Sequence, residues 1–420
     1  MTTPRARRHA TPTRPAGGRI GIALAGGGPL GGTYEVGALC ALADSIPGLD
    51  LAALDVYVGV SSGAFLAAAL ANGLSPAQMY RLFIEGGADA ALKPALLLRP
   101  ALAEYLRRFL ALPLLAGQAL AQYATHPLRA GSLGAFASLA RAVPTGLFDN
   151  RAIDAFLRDL FTAPGRSNDF RRLRHKLYLV ATNLDTGNAV VFGAPGFDHV
   201  PVSRAIRASS ALPGLFPPVT IDGEHYVDGA LIKTLHASLA LDDGVSLLLC
   251  VNPLVPFDAG RAQHAGGVKV RKLSHGGLPL VLSQTFRAII HSRMQVGMEK
   301  YERSHPDADV LLFQPPRENA EMFFANIFSY AHRGRVCAEA FATTRADLRA
   351  RADVVDAALR RHGLALDRAR LHDGDRTIAD AVRDPRPLRA YGGRRRSVRD
   401  ATRELTHALH ELERELATLR

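Results

Sequence analysis

RIGIALAGGGPLGGTYEVGAL, residues 19–39, decides how the rest of the chain is read. RIGIAL is an aliphatic, strand-like run, the middle is glycine, and the remainder carries apolar residues at helical spacing until Pro47 and Gly48 stop it. The same order recurs at once: DVYVGV (55–60) is a short β-branched run, SSG (61–63) a sharp turn, and AFLAAALANGL (64–74) a small-residue helix. Strand, turn and helix in alternation predict an α/β protein with a mostly parallel central sheet.

The glycines serve two chemistries. Gly26, Gly28 and Gly31 match GxGxxG after a strand and before a helix, the context of a dinucleotide's phosphates. With 38 Gly in 420 residues, chance supplies about 0.3 such matches, so a partner residue has to decide. A dinucleotide site wants an acid at the C-terminal end of the second strand, and Asp55 begins that strand instead. What ends it is Gly59-Val60-Ser61-Ser62-Gly63, a GxSxG match. A nucleophile elbow needs a strand, a tight turn and a helix N-terminus aimed at the serine, all present here. A plain serine N-cap fits the same stretch, and locally both readings stand. On the catalytic one, Ser61 is the nucleophile, Ser62 supplies a cap or an N–H, and Gly26, Gly27 and Gly28 offer unobstructed N–H groups that Pro29 cannot.

A base is sought further on. VTI and EHYV flank Asp222-Gly223, a pair suited to a two-residue hairpin turn. Asp228 then falls at the end of the returning strand, with Gly229 letting the chain turn away. There it either faces a nucleophile on a neighbouring strand or is a second Asp-Gly turn.

Taken together, GGGPLGG (26–32), GVSSG (59–63), RASSALPGLFPP (207–218) and DGA (228–230) resemble the patatin-like phospholipases, and VATNLDTG (180–187) has the same look. The resemblance covers roughly residues 20–345. It implies a three-layer α/β/α fold and a Ser-Asp dyad, without histidine, metal or cofactor, acting on acyl esters of lipids. Ser61 is then the nucleophile, Asp228 its proton acceptor, and Gly26–Gly28 with Ser62 the oxyanion hole. Gly31, Gly59, Gly63 and Gly229 complete the motifs. The family usually has Arg or Lys where this chain has Leu30, a departure that weakens the case for an anionic phospholipid headgroup and strengthens that for a neutral ester.

Three rivals make different demands. A Ser-His-Asp esterase of the α/β-hydrolase type needs one of His236, His275, His291 or His305; His225 reads as a strand residue. A nucleotide-binding oxidoreductase needs the missing ribose acid. A catalytically inactive scaffold on the same fold would work through its basic ends.

Those ends are distinct. Residues 1–19 carry five Arg and no acid, and residues 385–420 carry nine Arg and five acids, so of the net charge of +12 only +3 is left for the 365 residues between. The body is nearly neutral, and no specific nucleic-acid partner is expected. Residues 1–18 have no apolar core of a secretory signal and read as a disordered arm. The catalytic domain is expected over 19–345, with an Ala/Leu-rich helical cap at 77–145, a helical extension at 346–384, and a basic linker with a short coiled coil at 385–420. Leu405, Leu409, Leu412, Leu416 and Leu419 form its seam behind a Ser397/Asp400 capping box, and 397–420 is a candidate homodimer contact. Cys40, Cys250 and Cys337 lack metal or disulfide spacing and read as buried thiols. No stretch is long and apolar enough to span a bilayer. The expected location is the cytoplasm, with peripheral contact at a lipid surface.

Overall fold

The computed structural model describes residues 18–86, 99–125, 141–264, 272–319, 323 and 332–383. The expected arm (all but Gly18), the basic linker and the 397–420 seam lie outside these residues.

Among the described residues, eight strands build one sheet: β1 (Arg19–Leu24), β2 (Val56–Val60), β3 (Lys176–Asn183), β4 (Ala189–Phe192), β5 (Val219–Ile221), β6 (Glu224–Asp228), β7 (Val245–Val251) and β8 (Asp309–Phe313). Their order is β5-β6-β3-β2-β1-β7-β8, with β4 also paired to β3. The five strands from β3 to β8 are parallel, as the alternation predicts. Hairpins make the other end antiparallel, and Asp222 and Gly223 both have positive φ in the turn expected of them.

Helices α1 (Gly28–Ser45), α2 (Ser62–Ala71), α3 (Leu102–Thr125), α4 (Arg151–Phe161), α5 (Val202–Ser209), α6 (Gly277–Ser304), α7 (Arg333–Ala350) and α8 (Ala352–Arg361) accompany the sheet. Strand periodicity divides the core into two layers. Ile20, Ile22 and Leu24 join Leu39 and Leu42 of α1, Leu66 and Leu70 of α2, and Phe341 and Leu348 of α7. Ala23, Val58, Leu248 and Cys250 face the other way, against Leu235, Leu241, and Met294 and Tyr301 of α6. The result is the three-layer α/β/α architecture. All three cysteines are free and buried.

Overlapping the start of the stretch expected as a cap, residues 76–85 form a helical segment whose Met79, Leu82 and Phe83 belong to the main core. Residues 87–98 and 126–140 of that stretch lie outside the described residues. Backbone pairing ties the described part down: Pro100 bridges Phe148, Gly146 bridges Gly214, and the Phe148 N–H donates to the Leu215 carbonyl at 2.8 Å.

Register positions the site. Leu24 is level with Gly59 and with Val251, Val60 with Val180, and Ala181 with Asp228. The glycine run, the serine turn and the aspartate therefore leave the sheet at one edge, where the parallel strands end and open α/β sheets place their ligands.

Candidate active site

Ser61 sits between β2 and α2 with φ 54° and ψ −121°, a conformation that costs a non-glycine residue on the order of 1–3 kcal/mol. Its surroundings hold it there. The Ser61 N–H donates to Ser209 Oγ at 2.9 Å, and the Ser209 hydroxyl in turn donates to the Val180 carbonyl at 2.6 Å. The flanking glycines are steric necessities: a Cβ on Gly63 would lie 2.4 Å from the Leu24 carbonyl oxygen, and one on Gly59 2.5 Å from Ala64 Cα.

Although Ser61 occupies the N-cap position of α2, its side chain caps nothing. The hydroxyl instead donates to Asp228 Oδ2 at 2.6 Å. The serine-cap reading of the turn is thereby corrected, because the side chain points away from the helix amides to an aspartate. Ser62 opens the helix, and its Oγ is buried with no hydrogen-bond partner among the described residues.

Asp228 ends β6 and is held on every side. Its N–H donates to the Ala211 carbonyl, its own carbonyl accepts from Thr182 Oγ1 at 3.1 Å, and its Oδ1 accepts the Ala230 N–H at 2.9 Å. Gly229 lets the chain leave, since a Cβ there would meet the Val180 carbonyl oxygen at 2.3 Å. Burial pushes the Asp228 carboxyl up to about 6, against the opposing pull of the bonds from Ser61 and Ala230. The site is dry, with Ser61 7% and Asp228 3% exposed.

The glycine run closes over this pair. A Cβ on Gly26 would lie 2.9 Å from Ser61 Cβ and 3.2 Å from Ala230 Cβ, so Gly26 abuts both halves of the site. Helix α1 starts at Gly28, with Gly27 at its N-cap, no side-chain cap and no acid in its first turn. The N–H groups of Gly26, Gly27 and Gly28 have no hydrogen-bond partner among the described residues. Gly31, one turn on, packs with Gly27 against Pro253. Free amides at the positive end of an 18-residue helix are suited to hold a negative oxygen.

The rival readings find less. Asp55 receives the Ile20 N–H at 2.8 Å at the far end of β1, where no ribose on the glycine run would meet it. No histidine hydrogen-bonds Ser61 or Asp228 among the described residues. His236 lies beside the Gly229 backbone, its Nε2 without a partner among the described residues, and burial holds it down to about 4. His305 bonds Asp242, His225 pairs with Asp185, His291 lies on α6, and His275 is exposed. Leu30, in the place of the family's cation, is buried in the main core.

Two positions that hold the candidate site escape sequence reasoning. Ser209 and Thr182 lie within RASSALPG and VATNLDTG, but their hydrogen-bond roles depend on strands that only the fold brings together.

The patatin-like phospholipase family profile matches residues 22–241, just over half of the chain, and the chain belongs to that family. Membership supports a lipid acyl hydrolase as its class of function. Among solved structures, the chain is similar to VipD from Legionella pneumophila at 16% identity, covering 80% of this chain and 68% of that one with a TM-score of 0.38. It is also similar to the type III effector protein ExoU, at 16% identity over 80% of this chain and 54% of that one, TM-score 0.35. A third is the ExoU–SpcU complex from Pseudomonas aeruginosa, at 20% identity over 69% and 53%, TM-score 0.26. The chain thus spans about two thirds of VipD and about half of ExoU. Among the described residues, no helix is long and apolar enough to cross a membrane.

Proposed function

We propose that the protein is a serine-dependent lipid acyl hydrolase in which Ser61 and Asp228 form a catalytic dyad. The observation that carries this reading is the 2.6 Å hydrogen bond from the Ser61 hydroxyl to a buried, proton-avid carboxylate on an independent strand. Asp228 Oδ2 takes the hydroxyl proton as Ser61 Oγ bonds to the ester carbonyl carbon. The carbonyl oxygen becomes an oxyanion, met by the free amides of Gly26–Gly28. Ser62 N–H is a further donor to that position. Collapse breaks the bond to the leaving alkoxide, which departs as an alcohol with the proton from Asp228. Water then gives its proton to the same carboxylate, attacks the acyl-serine, and releases the fatty acid as Ser61 recovers its hydrogen.

Burial serves this chemistry directly. A carboxylate is a poor base in water, and the dry site raises its proton affinity. Ser209 keeps Ser61 at its strained φ, so the hydroxyl needs no reorganisation to reach Asp228. Ser61, Asp228 and the glycine run all lie within 19–345, which we take as the catalytic unit.

Burial of Leu30 leaves no cation from α1 beside the dyad, which favours a neutral ester linkage over recognition of an anionic headgroup at that point. A release assay across phospholipids, galactolipids and glycerides, with wild type and Asp228→Asn, tests both claims. Acyl release from glycerides that disappears in the variant supports them; equal release by the variant contradicts the dyad.

A further inference from the structure

The outward faces of α3 and α6 are apolar, which is the reverse of an ordinary surface helix. On α6, Arg287, His291 and Met294 are buried, while Leu278, Leu282, Phe286, Ile289 and Val296 on the opposite side are exposed, Phe286 by 54%. On α3, Leu102, Leu106, Phe109, Leu110 and Leu114 are likewise exposed, Phe109 by 69%. These two helices hold most of the large exposed apolar side chains among the described residues. Scattered exposed leucines need no explanation, but two continuous stripes do.

Both stripes are joined to the site. The Tyr105 hydroxyl of α3 donates to the Leu147 carbonyl, and the strip 146–148 pairs with Gly214 and Leu215, just beyond the Ala211 carbonyl that receives the Asp228 N–H. On α6, Arg293 donates to the Leu231 carbonyl at 3.1 Å, directly after the Asp-Gly-Ala turn. Gln284 and Arg287 bond to the backbone of Phe257 and Val255, in the segment whose Pro253 packs on Gly27 and Gly31. The helices are thus fastened to the loops that carry the dyad and the glycine run.

Charge says what these faces meet. With 39 acids in 420 residues, an acid is expected about once in eleven positions, yet residues 105–148 and 259–298 contain no Asp or Glu. Those two runs contain α6 through Met298 and all of α3 after Glu104, whose carboxylate is paired with Arg108. Among the described residues, Arg141 in one run and Lys272 and Arg293 in the other are exposed and basic. Acid-free, basic and apolar together is the signature of a face that sits on an anionic lipid surface.

We propose that α3 and α6 form a two-helix docking face that seats the protein on an anionic bilayer with the site mouth toward the lipid. This rests on the hydrolase reading only for its purpose. A second copy of the chain would bring like charges together, and the acid-bearing 397–420 segment is the remaining rival occupant.

The test is vesicle flotation of the full chain carrying Ser61→Ala, so that binding is read without turnover and stands or falls separately from hydrolysis. Phosphatidylcholine vesicles are compared with and without phosphatidylserine. Binding is expected to require phosphatidylserine. It should weaken about tenfold or more in Phe109→Ser/Leu110→Ser and in Phe286→Ser/Ile289→Ser, with unchanged melting temperatures. Failure of the Ser61→Ala chain to bind overturns the proposal, as does wild-type binding by both double variants. It is also overturned if only Leu409→Ser/Leu412→Ser loses binding, or if the helix substitutions dissociate a dimer and leave vesicle binding intact.

Discussion

Ser61 Oγ and Asp228 Oδ2 lie 2.6 Å apart although 167 positions separate them in the chain. On the proposed dyad mechanism, that contact ties the rate of reaction to one ionisation. Only the carboxylate accepts a proton, so kcat/KM should rise with pH through about 6, fall about tenfold per pH unit below it, and level off above. A pH–rate profile on a neutral ester checks this, and a profile flat from pH 4 to 8 would contradict it.

The same shift acts on stability with the opposite sign. The folded acid keeps its proton up to about pH 6, whereas the unfolded one loses it near its ordinary value of 3.8. Between those values the native state binds more protons, so stability falls as pH rises. Asp228→Asn should therefore gain on the order of 1–3 kcal/mol at pH 7 while losing activity, with no gain below about pH 4. Urea denaturation at the two pH values measures it.

Gly26→Ala and Gly63→Ala should separate chemistry from folding. The first places a methyl against Ser61 and Ala230, in the space of the proposed oxyanion, and should lower kcat about 100-fold at a cost of about 1–3 kcal/mol, because Ser61 Cβ at 2.9 Å has to shift. The second collides with the Leu24 backbone and should cost about 3 kcal/mol or more. Thermal melts beside steady-state kinetics show whether the two effects divide in this way.

Ser209 is expected to act through Ser61. Ser209→Ala leaves the buried Ser61 N–H without its acceptor, at a cost of about 1–3 kcal/mol. A looser elbow should reduce kcat about tenfold while KM stays the same. A rise in KM alone would point to substrate contact instead.

The outline of this arrangement was legible in the sequence because the strand, glycine turn and helix pattern is local. Positions 19–74 alone announce β1, α1, β2 and α2, and Asp222-Gly223 announces its hairpin. The choice between a serine cap and a nucleophile was not local, since it depends on whether the Ser61 hydroxyl donates to Asp228 or its oxygen accepts from a helix amide. The extra role of Ser209 and the core position of Met79 and Phe83 required the sheet order, which no spacing encodes. Leu30 shows the converse: the departure from the family pattern was visible, but only its burial in the core explains how the helix tolerates it.

A Ser-His-Asp triad requires a histidine that no described residue supplies at the site. His236→Asn, His275→Ala, His291→Gln and His305→Ala should each keep activity within about tenfold of wild type, Asn being chosen at position 236 because φ there is 47°. Loss of about 1,000-fold in one of them, with the fold intact, would replace the dyad by a triad.

Labelling with a fluorophosphonate probe, followed by mass determination of the modified peptide, tests the dyad most directly. Covalent modification of the wild type at Ser61, absent in Ser61→Ala and slowed about 1,000-fold or more in Asp228→Asn, is the expected result. A folded wild type that takes no label, or label that persists in Ser61→Ala, would contradict the assignment of Ser61 as nucleophile.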